Sequence, residues 1–320
     1  MKKAFITGIS GQDGSYLAEN LINHGYSVYG LIRRQSVSEN QTYRLNHIFD
    51  DVKLFYGDMT DLSSLFGIIK KVEPDIIFNL AAQSHVRISF DMPIFTAQTN
   101  AIGMINLLEA VRIINHNIRV YQASSSEMFG NNCDPDGFQR ETTTMNPVSP
   151  YGCSKLFAYN LCKNYRNSYD MFITNGILFN HESPRRGENF VTNKVAKIAV
   201  EIKKEKKNFL SLGNLKATRD WGHAKDYVDA MRRIMELDAP DDFVCASGKS
   251  HSVKDLCKYV FEKLGMDYKS HILVDEKYFR PEELNDLKGD CSKLKKATDW
   301  QPKYTFESML DEMVDYWMNK

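Results

Sequence analysis

Short apolar, β-branched runs recur through the first half of this 320-residue chain, most of them separated by stretches with helical spacing. The runs predict strands over residues 3–7, 27–32, 52–56, 75–80, 118–123 and 171–179, and the spacing predicts helices over 16–24, 62–72, 100–114 and 151–168. Near-continuously apolar strands alternating with helices specify a parallel sheet covered on both faces. The predicted fold is therefore α/β, a doubly wound parallel sheet. After Phe179 the pattern turns to polar, Pro- and Arg-containing loops with further helices over 194–207, 253–264 and 306–318. The expected division is a ligand-binding domain over 1–180, with returns near 215–248 and 285–303, and a smaller second domain formed mainly by 181–320. The Lys-rich run 203–207 reads as a solvated helix end.

Composition narrows the function classes. Lys+Arg and Asp+Glu each number 41, so the chain lacks the basic excess of a nucleic-acid binder. Any bound anion must be met by cations gathered locally. The apolar stretch of the N-terminus breaks at Gly8, too early for a secretory signal, and no run is long enough for a membrane span. The 6 cysteines show neither metal-type pairing nor framework spacing, so no metal site is expected and reduced thiols are. A cytoplasmic location follows as an expectation.

The segment Thr7-Gly8-Ile9-Ser10-Gly11-Gln12-Asp13-Gly14 ends the first strand and opens a helix. Its G-x-x-G-x-x-G spacing is one residue wider at the first gap than the commonest dinucleotide fingerprint. Glycines here let the backbone turn tightly and approach a pyrophosphate, whose charge meets the helix N-terminus. Gly8, Gly11, Gly14, Gln12 and Asp13 are thus candidate cofactor contacts. Strand two ends in Arg33-Arg34 with no acid, which suits a 2′-phosphate and favours NADP over NAD. Asp58 and Met59, after strand three, face the expected adenine, and Leu80-Ala81-Ala82 offer small side chains where backbone runs along the cofactor.

Tyr151-Gly152-Cys153-Ser154-Lys155 puts a phenol and an ammonium four residues apart on one helix face. Near a nicotinamide, the lysine charge would favour the phenolate and ready Tyr151 to exchange a proton with a sugar hydroxyl. Joined to the glycine loop, this motif makes the chain resemble the extended short-chain dehydrogenase/reductase family, of Rossmann fold. Strand five ends in Ser124-Ser125-Ser126-Glu127. A hydroxyl at Ser125 would steady a substrate, but hydride transfer alone has no use for the carboxylate at Glu127. Removing a proton beside a ketone and expelling water from the next carbon does need one.

Longer motifs sharpen the resemblance. Residues 79–86 (NLAAQSHV), 180–188 (NHESPRRGE), 219–226 (RDWGHAKD) and 280–283 (RPEE) are similar to those of the GDP-mannose 4,6-dehydratase family. The resemblance implies Ser125, Glu127, Tyr151 and Lys155 as catalytic residues. It implies Ser84, Asn180, Glu182, Lys194, Gly213, Arg219, Arg280 and Glu283 around a GDP-linked sugar, and His181 and Arg186 near the cofactor. The implied reaction oxidises C4, eliminates water across C5 and C6 through Glu127, and returns the hydride to C6. A 4-epimerase or 4-reductase of the same fold is the alternative, and a non-catalytic NADP sensor the reading from another class. Two departures stand out: serine at 125 where the family usually has threonine, and a slightly longer segment 33–47. Ser125 leaves room for one methyl more, so the seven-carbon homologue GDP-D-glycero-D-manno-heptose is an expected substrate beside GDP-D-mannose. Segment 33–47 resembles one that reaches a neighbouring subunit, implying a homotetramer.

Overall fold

The computed structural model describes residues 1–34, 41–279 and 281–320. Along the chain come β1 (Lys3–Thr7), α1 (Gln12–Asn23), β2 (Ser27–Ile32), β3 (Val52–Tyr56), α2 (Leu62–Val72) and β4 (Ile76–Asn79). Two short helices, α3 (Val86–Asp91) and α4 (Pro93–Ala97), lead through a π-helical turn (Gln98–Ile102) into α5 (Gly103–Asn115). Then follow β5 (Arg119–Ser125), α6 (Pro150–Tyr169), β6 (Ile173–Leu178) and β7 (Asn180–Glu182). The remainder is α7 (Val191–Lys203), β8 (Leu210–Leu212), β9 (Thr218–His223), α8 (Ala224–Met235), β10 (Asp242–Cys245) and β11 (Ser250–Ser252). It closes with α9 (Val253–Lys263), β12 (Ile272–Val274), α10 (Ser292–Thr298) and α11 (Phe306–Met318).

Seven strands make one parallel sheet in the order β10-β6-β5-β4-β1-β2-β3. This is the Rossmann-like, doubly wound arrangement that the apolar alternation specified. The order reverses between β1 and β4, and at such a switch point ligands bind outside the carboxyl ends of the strands. Strands β1, β4 and β6 are buried along almost their whole length, which a sheet sandwiched between helix layers requires. One core packs α1 and α8 on one face, with Leu17, Tyr227, Met231 and Trp300 in it. The other face carries α2, α5 and α6 around Leu65, Leu107, Val111 and Ala158.

Two small sheets, β11-β9-β7 and β12-β8, lie beyond the main one. A separate apolar cluster joins α7, α9 and α11 through Val195, Trp221, Phe261, Met313 and Trp317. Ser252 and Thr305 start α9 and α11 with reciprocal side-chain caps, so both helix ends are fixed locally. α7 stops at Lys203, short of the predicted residue 207, because Glu205 takes the left-handed conformation (φ 57°). α1 starts four residues before the predicted position, since its polar first turn belongs to the glycine loop. β10 and α8 were not predicted as elements, yet β10 is the edge strand of the main sheet. Four cysteines (162, 245, 257, 291) are buried and all 6 are free.

Candidate active site

The carboxyl ends of β1, β4 and β5 open into a cleft of about 1380 Å³, more than the ~300–1,000 Å³ of an ordinary small-ligand site. Its floor is the glycine loop. Gly8 sits at φ +71°, and a Cβ there would stand 3.0 Å from the Ala81 backbone. A Cβ on Gly14 would stand 2.3 Å from the Gly8 carbonyl oxygen. Gly11 caps α1 without any side-chain acceptor, leaving first-turn N–H groups for a ligand. The residues present therefore fit a pyrophosphate. Leu80, Ala81 and Ala82 line the next stretch of wall, followed by Ser84, with Asp58 and Met59 on the side of β3. Asp58 accepts from the Thr60 backbone N–H at 2.9 Å and its hydroxyl at 2.8 Å.

Gln12 and Asp13 do more than line the loop. His181 Nε2 meets Asp13 Oδ2 at 2.8 Å, Gln12 Nε2 donates to the His181 carbonyl at 3.1 Å, and Ser183 Oγ donates to Gln12 Oε1 at 2.8 Å. Burial alone would neutralise both Asp13 and His181. Their mutual charge and hydrogen bond win, lowering the Asp13 carboxyl and raising the His181 imidazole. The glycine-loop helix is thereby latched to the segment after β6. His223 is also a tethered histidine: it is fully buried, meets Glu312 at 2.8 Å, and accepts the Lys225 N–H at 3.0 Å.

Four expected catalytic side chains converge on the cleft. Ser125 and Glu127 are each 7% exposed, Tyr151 8% and Lys155 4%. Ser125 ends β5, and its Oγ accepts the Glu127 N–H at 3.2 Å, so one hydroxyl caps the short turn that carries the carboxylate. Gly152 lets α6 approach that turn, since a Cβ there would stand 2.8 Å from the Glu127 carbonyl oxygen. Pro150 and the Ser149 cap begin α6 immediately before Tyr151.

Burial pushes the Tyr151 phenol up to about 12; a Ser125 hydrogen bond opposes this and the Glu127 charge adds to it. Lys155 Nζ lies 5.8 Å from the Tyr151 ring centre, donates to the Ala123 carbonyl at 2.8 Å, and is itself pushed down to about 8 by burial.

The cleft's other wall carries the expected nucleotide-sugar residues Asn180, Glu182, Lys194, Gly213, Arg219 and Glu283. Several are already engaged with one another. Arg219 donates to Glu283 at 2.9 Å and to the Leu284 carbonyl at 3.0 Å. Glu182 accepts from Thr192 at 2.6 Å and pairs with Arg186 at 3.1 Å. Lys194 donates to the Ser211 carbonyl at 2.8 Å, and burial, then Lys277, holds its ammonium below the usual lysine range. Arg33 reaches the cleft, but Arg34 does not: its guanidinium stands 5.8 Å over the Tyr56 ring. Arg185 also turns away, onto Tyr16 and Glu19. Arg280 lies outside the described residues. Missed by the sequence reading were Lys197, Lys207 and Lys277, which line the cleft from separate segments and pair with Glu188, Glu201 and Asp275. Lys207 belongs to the run read as merely solvated; only the chain reversal after α7 brings it round.

Comparison with known proteins follows the same lines. Over residues 5–313 the chain matches the family described as GDP-mannose 4,6 dehydratase. GDP-mannose 4,6 dehydratase 1 of Arabidopsis thaliana is 49% identical, over 98% of this chain and 89% of its own. The Homo sapiens GDP-mannose 4,6 dehydratase is 45% identical, over 97% of this chain and 90% of its own. Among solved structures, a UDP-glucose 4-epimerase with UDP-glucose from Thermotoga maritima has a TM-score of 0.86 at 25% identity, covering 99% of each chain. Identity near one half with named dehydratases, across nearly the whole sequence, separates this chain from the epimerases that share its fold: it belongs to the GDP-mannose 4,6-dehydratase family, a family of hydro-lyases.

Proposed function

We propose that this enzyme converts a GDP-manno-configured sugar to its 4-keto-6-deoxy form with NADP as a recycled cofactor. The carrying observation is Glu127, a buried carboxylate at the cleft beside Ser125 and Tyr151, which an epimerase or reductase would leave without work. A non-catalytic NADP sensor would need none of the three. Gly8, Gly11, Gly14, Ala81 and Arg33 would hold the cofactor, and Lys155 its nicotinamide ribose. When bound, the nicotinamide would supply a positive charge beside Tyr151 and a hydride site that takes the C4 hydrogen and gives it back to C6.

The chain's own residues do the proton work. Ser125 donates to O4 and orients it. Tyr151 takes the O4 proton as C4 becomes a ketone, which acidifies the C5 hydrogen. Glu127 removes that hydrogen as a proton and passes it to the C6 hydroxyl, which leaves as water. C5 takes up a solvent proton as C6 is reduced, and Tyr151 gives up the proton it took from O4, which balances the cycle. Lys194, Arg219 and Arg280 gather positive charge for the diphosphate. Residues 1–180, with returns near 215–248 and 285–303, are assigned to the cofactor and most of 181–320 to the nucleotide sugar. That α8, β10 and α10 join the main sheet and its core supports the returns. The enzyme is proposed to work in the cytoplasm as a homotetramer, an idea that a monomer in light scattering would end.

With NADP and no added reductant, GDP-mannose is expected to lose one water, read by mass spectrometry, and NAD is expected to support the reaction less well. Unchanged mass would overturn the dehydratase reading, and equal rates with NAD the argument from Arg33.

Ser125 bears on which sugar fits. GDP-mannose and the heptose differ by a hydroxymethyl group on C6, the carbon that loses water. Serine supplies the hydroxyl of threonine without its methyl, and a change of that size is worth about 1–3 kcal/mol of discrimination. The heptose is therefore proposed as a substrate beside mannose. Ser125→Thr should lower the heptose-to-mannose ratio of kcat/KM by about tenfold; an unchanged ratio would remove Ser125 as selector.

A further inference from the structure

Beneath the cleft, in-register positions of five adjacent strands carry polar side chains on a buried sheet. Thr7 pairs with Asn79, Asn79 with Gln122, Gln122 with Asn175, and Asn175 with Asp242. All five are buried. Such a row is costly unless every group finds a partner. Here the partners run in one direction. Thr7 Oγ1 accepts the backbone N–H groups of Leu80 and Ala81, each at 3.1 Å, so its own proton goes to Asn79 Oδ1 at 2.6 Å. That fixes the Asn79 amide, whose Nδ2 donates to Gln122 Oε1 at 2.7 Å. It fixes Gln122 in turn, whose Nε2 donates to the Ala123 carbonyl at 3.2 Å. The same oxygen accepts Lys155 Nζ at 2.8 Å.

The far half of the row also meets α6, the helix that carries Lys155. Ser124 Oγ donates to Asn175 Oδ1 at 3.1 Å, Asn175 Nδ2 to Asp242 Oδ1 at 2.9 Å, and Arg166 of α6 meets that carboxylate at 2.5 Å. α6 is therefore seated on the sheet at two cationic points, Lys155 and Arg166, each resting on the polar row. The Lys155 point is the one that faces the chemistry. Asn79 immediately precedes the Leu80–Ala82 wall, and the Ala123–Ser124 peptide immediately precedes Ser125.

We propose that Gln122 is a positioning residue for the reaction: it turns the Ala123 carbonyl toward Lys155, and so sets the ammonium and Ser125 relative to the glycine-loop strand. This rests on the reading of Lys155 as the ammonium that serves Tyr151 and the cofactor. Gln122 itself touches neither substrate nor cofactor. The Ala123 oxygen thus takes two donors, Lys155 and the end of a directed chain, which share it and together fix its direction. The titratable groups that act on Lys155 are Cys162 on its own helix, whose thiol burial keeps protonated, and Asp13 of α1, while Glu127 acts on Tyr151.

The test uses Gln122→Met, Gln122→Glu and, as reference, Lys155→Met, all in the full chain. Carbon NMR of cofactor-free protein labelled at the lysine ε-carbon reads the Lys155 titration, identified by the signal that Lys155→Met lacks. Gln122→Met leaves the Ala123 oxygen to Lys155 alone and should move it to higher pH. Gln122→Glu keeps the Asn79 contact but puts a carboxylate beside the ammonium, and should move it up by about 1 unit or more. Both should lower kcat by about tenfold to a hundredfold, the cost of a small misplacement, with the nucleotide-sugar KM within about twofold. A residue that only fills space would leave the titration and kcat where they are in the wild type, and that result in either folded variant overturns the proposal. Wild-type turnover in Lys155→Met would instead sink the reading of Lys155, whatever the Gln122 variants do.

Discussion

Glu127→Gln is expected to cut water loss from the GDP sugar by about a thousandfold or more while cofactor binding stays at its wild-type strength. Glutamine matches glutamate in size, so the turn from Ser125 to Phe129 and its cap by the Ser125 hydroxyl can persist. What disappears is a group that can cycle a proton. A positioned acid or base contributes about 10²–10⁴-fold. Glu127 is asked to serve twice, first at C5 and then at the departing C6 hydroxyl, so the loss belongs toward the upper end. Oxidation at C4 does not use the carboxylate and should continue. Removing its negative charge also relieves one of the causes that hold the Tyr151 phenol high. The variant should therefore accumulate reduced cofactor and a 4-keto sugar that still carries its C6 oxygen. Water loss at the wild-type rate would remove Glu127 from the mechanism.

Tyr151→Phe should fail one step earlier. Phenylalanine keeps the ring buried against the start of α6 and deletes only the hydroxyl proposed to take the O4 proton. Without that acceptor C4 cannot become a ketone at a useful rate, and turnover should fall by about 10²–10⁴-fold. No transient absorbance of reduced cofactor should appear, in contrast to Glu127→Gln. The two variants thus order the steps: one blocks before the redox signal, the other after it. Reduced cofactor accumulating in Tyr151→Phe would contradict its assignment as the O4 base, whereas an equally fast wild-type burst in both would contradict the order.

These residues were legible before any coordinates because each sits in a short local motif tied to a strand end. The glycine loop, the Ser124–Glu127 turn and the Tyr151–Lys155 face follow β1, β5 and the start of α6. The strands were legible for a related reason: a sheet covered on both faces forces nearly unbroken apolar runs. What escaped the sequence depends on long-range closure. β10 is only four residues, Asp242–Cys245, and becomes a strand because the edge of β6 is there to receive it. The Asp13–His181 latch joins positions 168 residues apart. Lys197, Lys207 and Lys277 reach one rim from different segments. Helix spacing gives the shared face of Tyr151 and Lys155, not the depth of their burial, which only the packed structure shows. Arg33 and Arg34 look alike in sequence, but successive side chains leaving a strand diverge, and only Arg33 lines the cleft.

In the proposed reaction a hydride leaves C4 and returns to C6 within one catalytic cycle, around a proton transfer run by Glu127. GDP-mannose carrying deuterium at C4 tests this directly, with unlabelled cofactor in excess and the product read by proton NMR and mass spectrometry. The expected product is a 4-keto-6-deoxy sugar with the deuterium on C6 and a solvent-derived hydrogen on C5. Deuterium lost to the cofactor pool or to water, or kept at C4 in a product that has not lost its C6 oxygen, would contradict it.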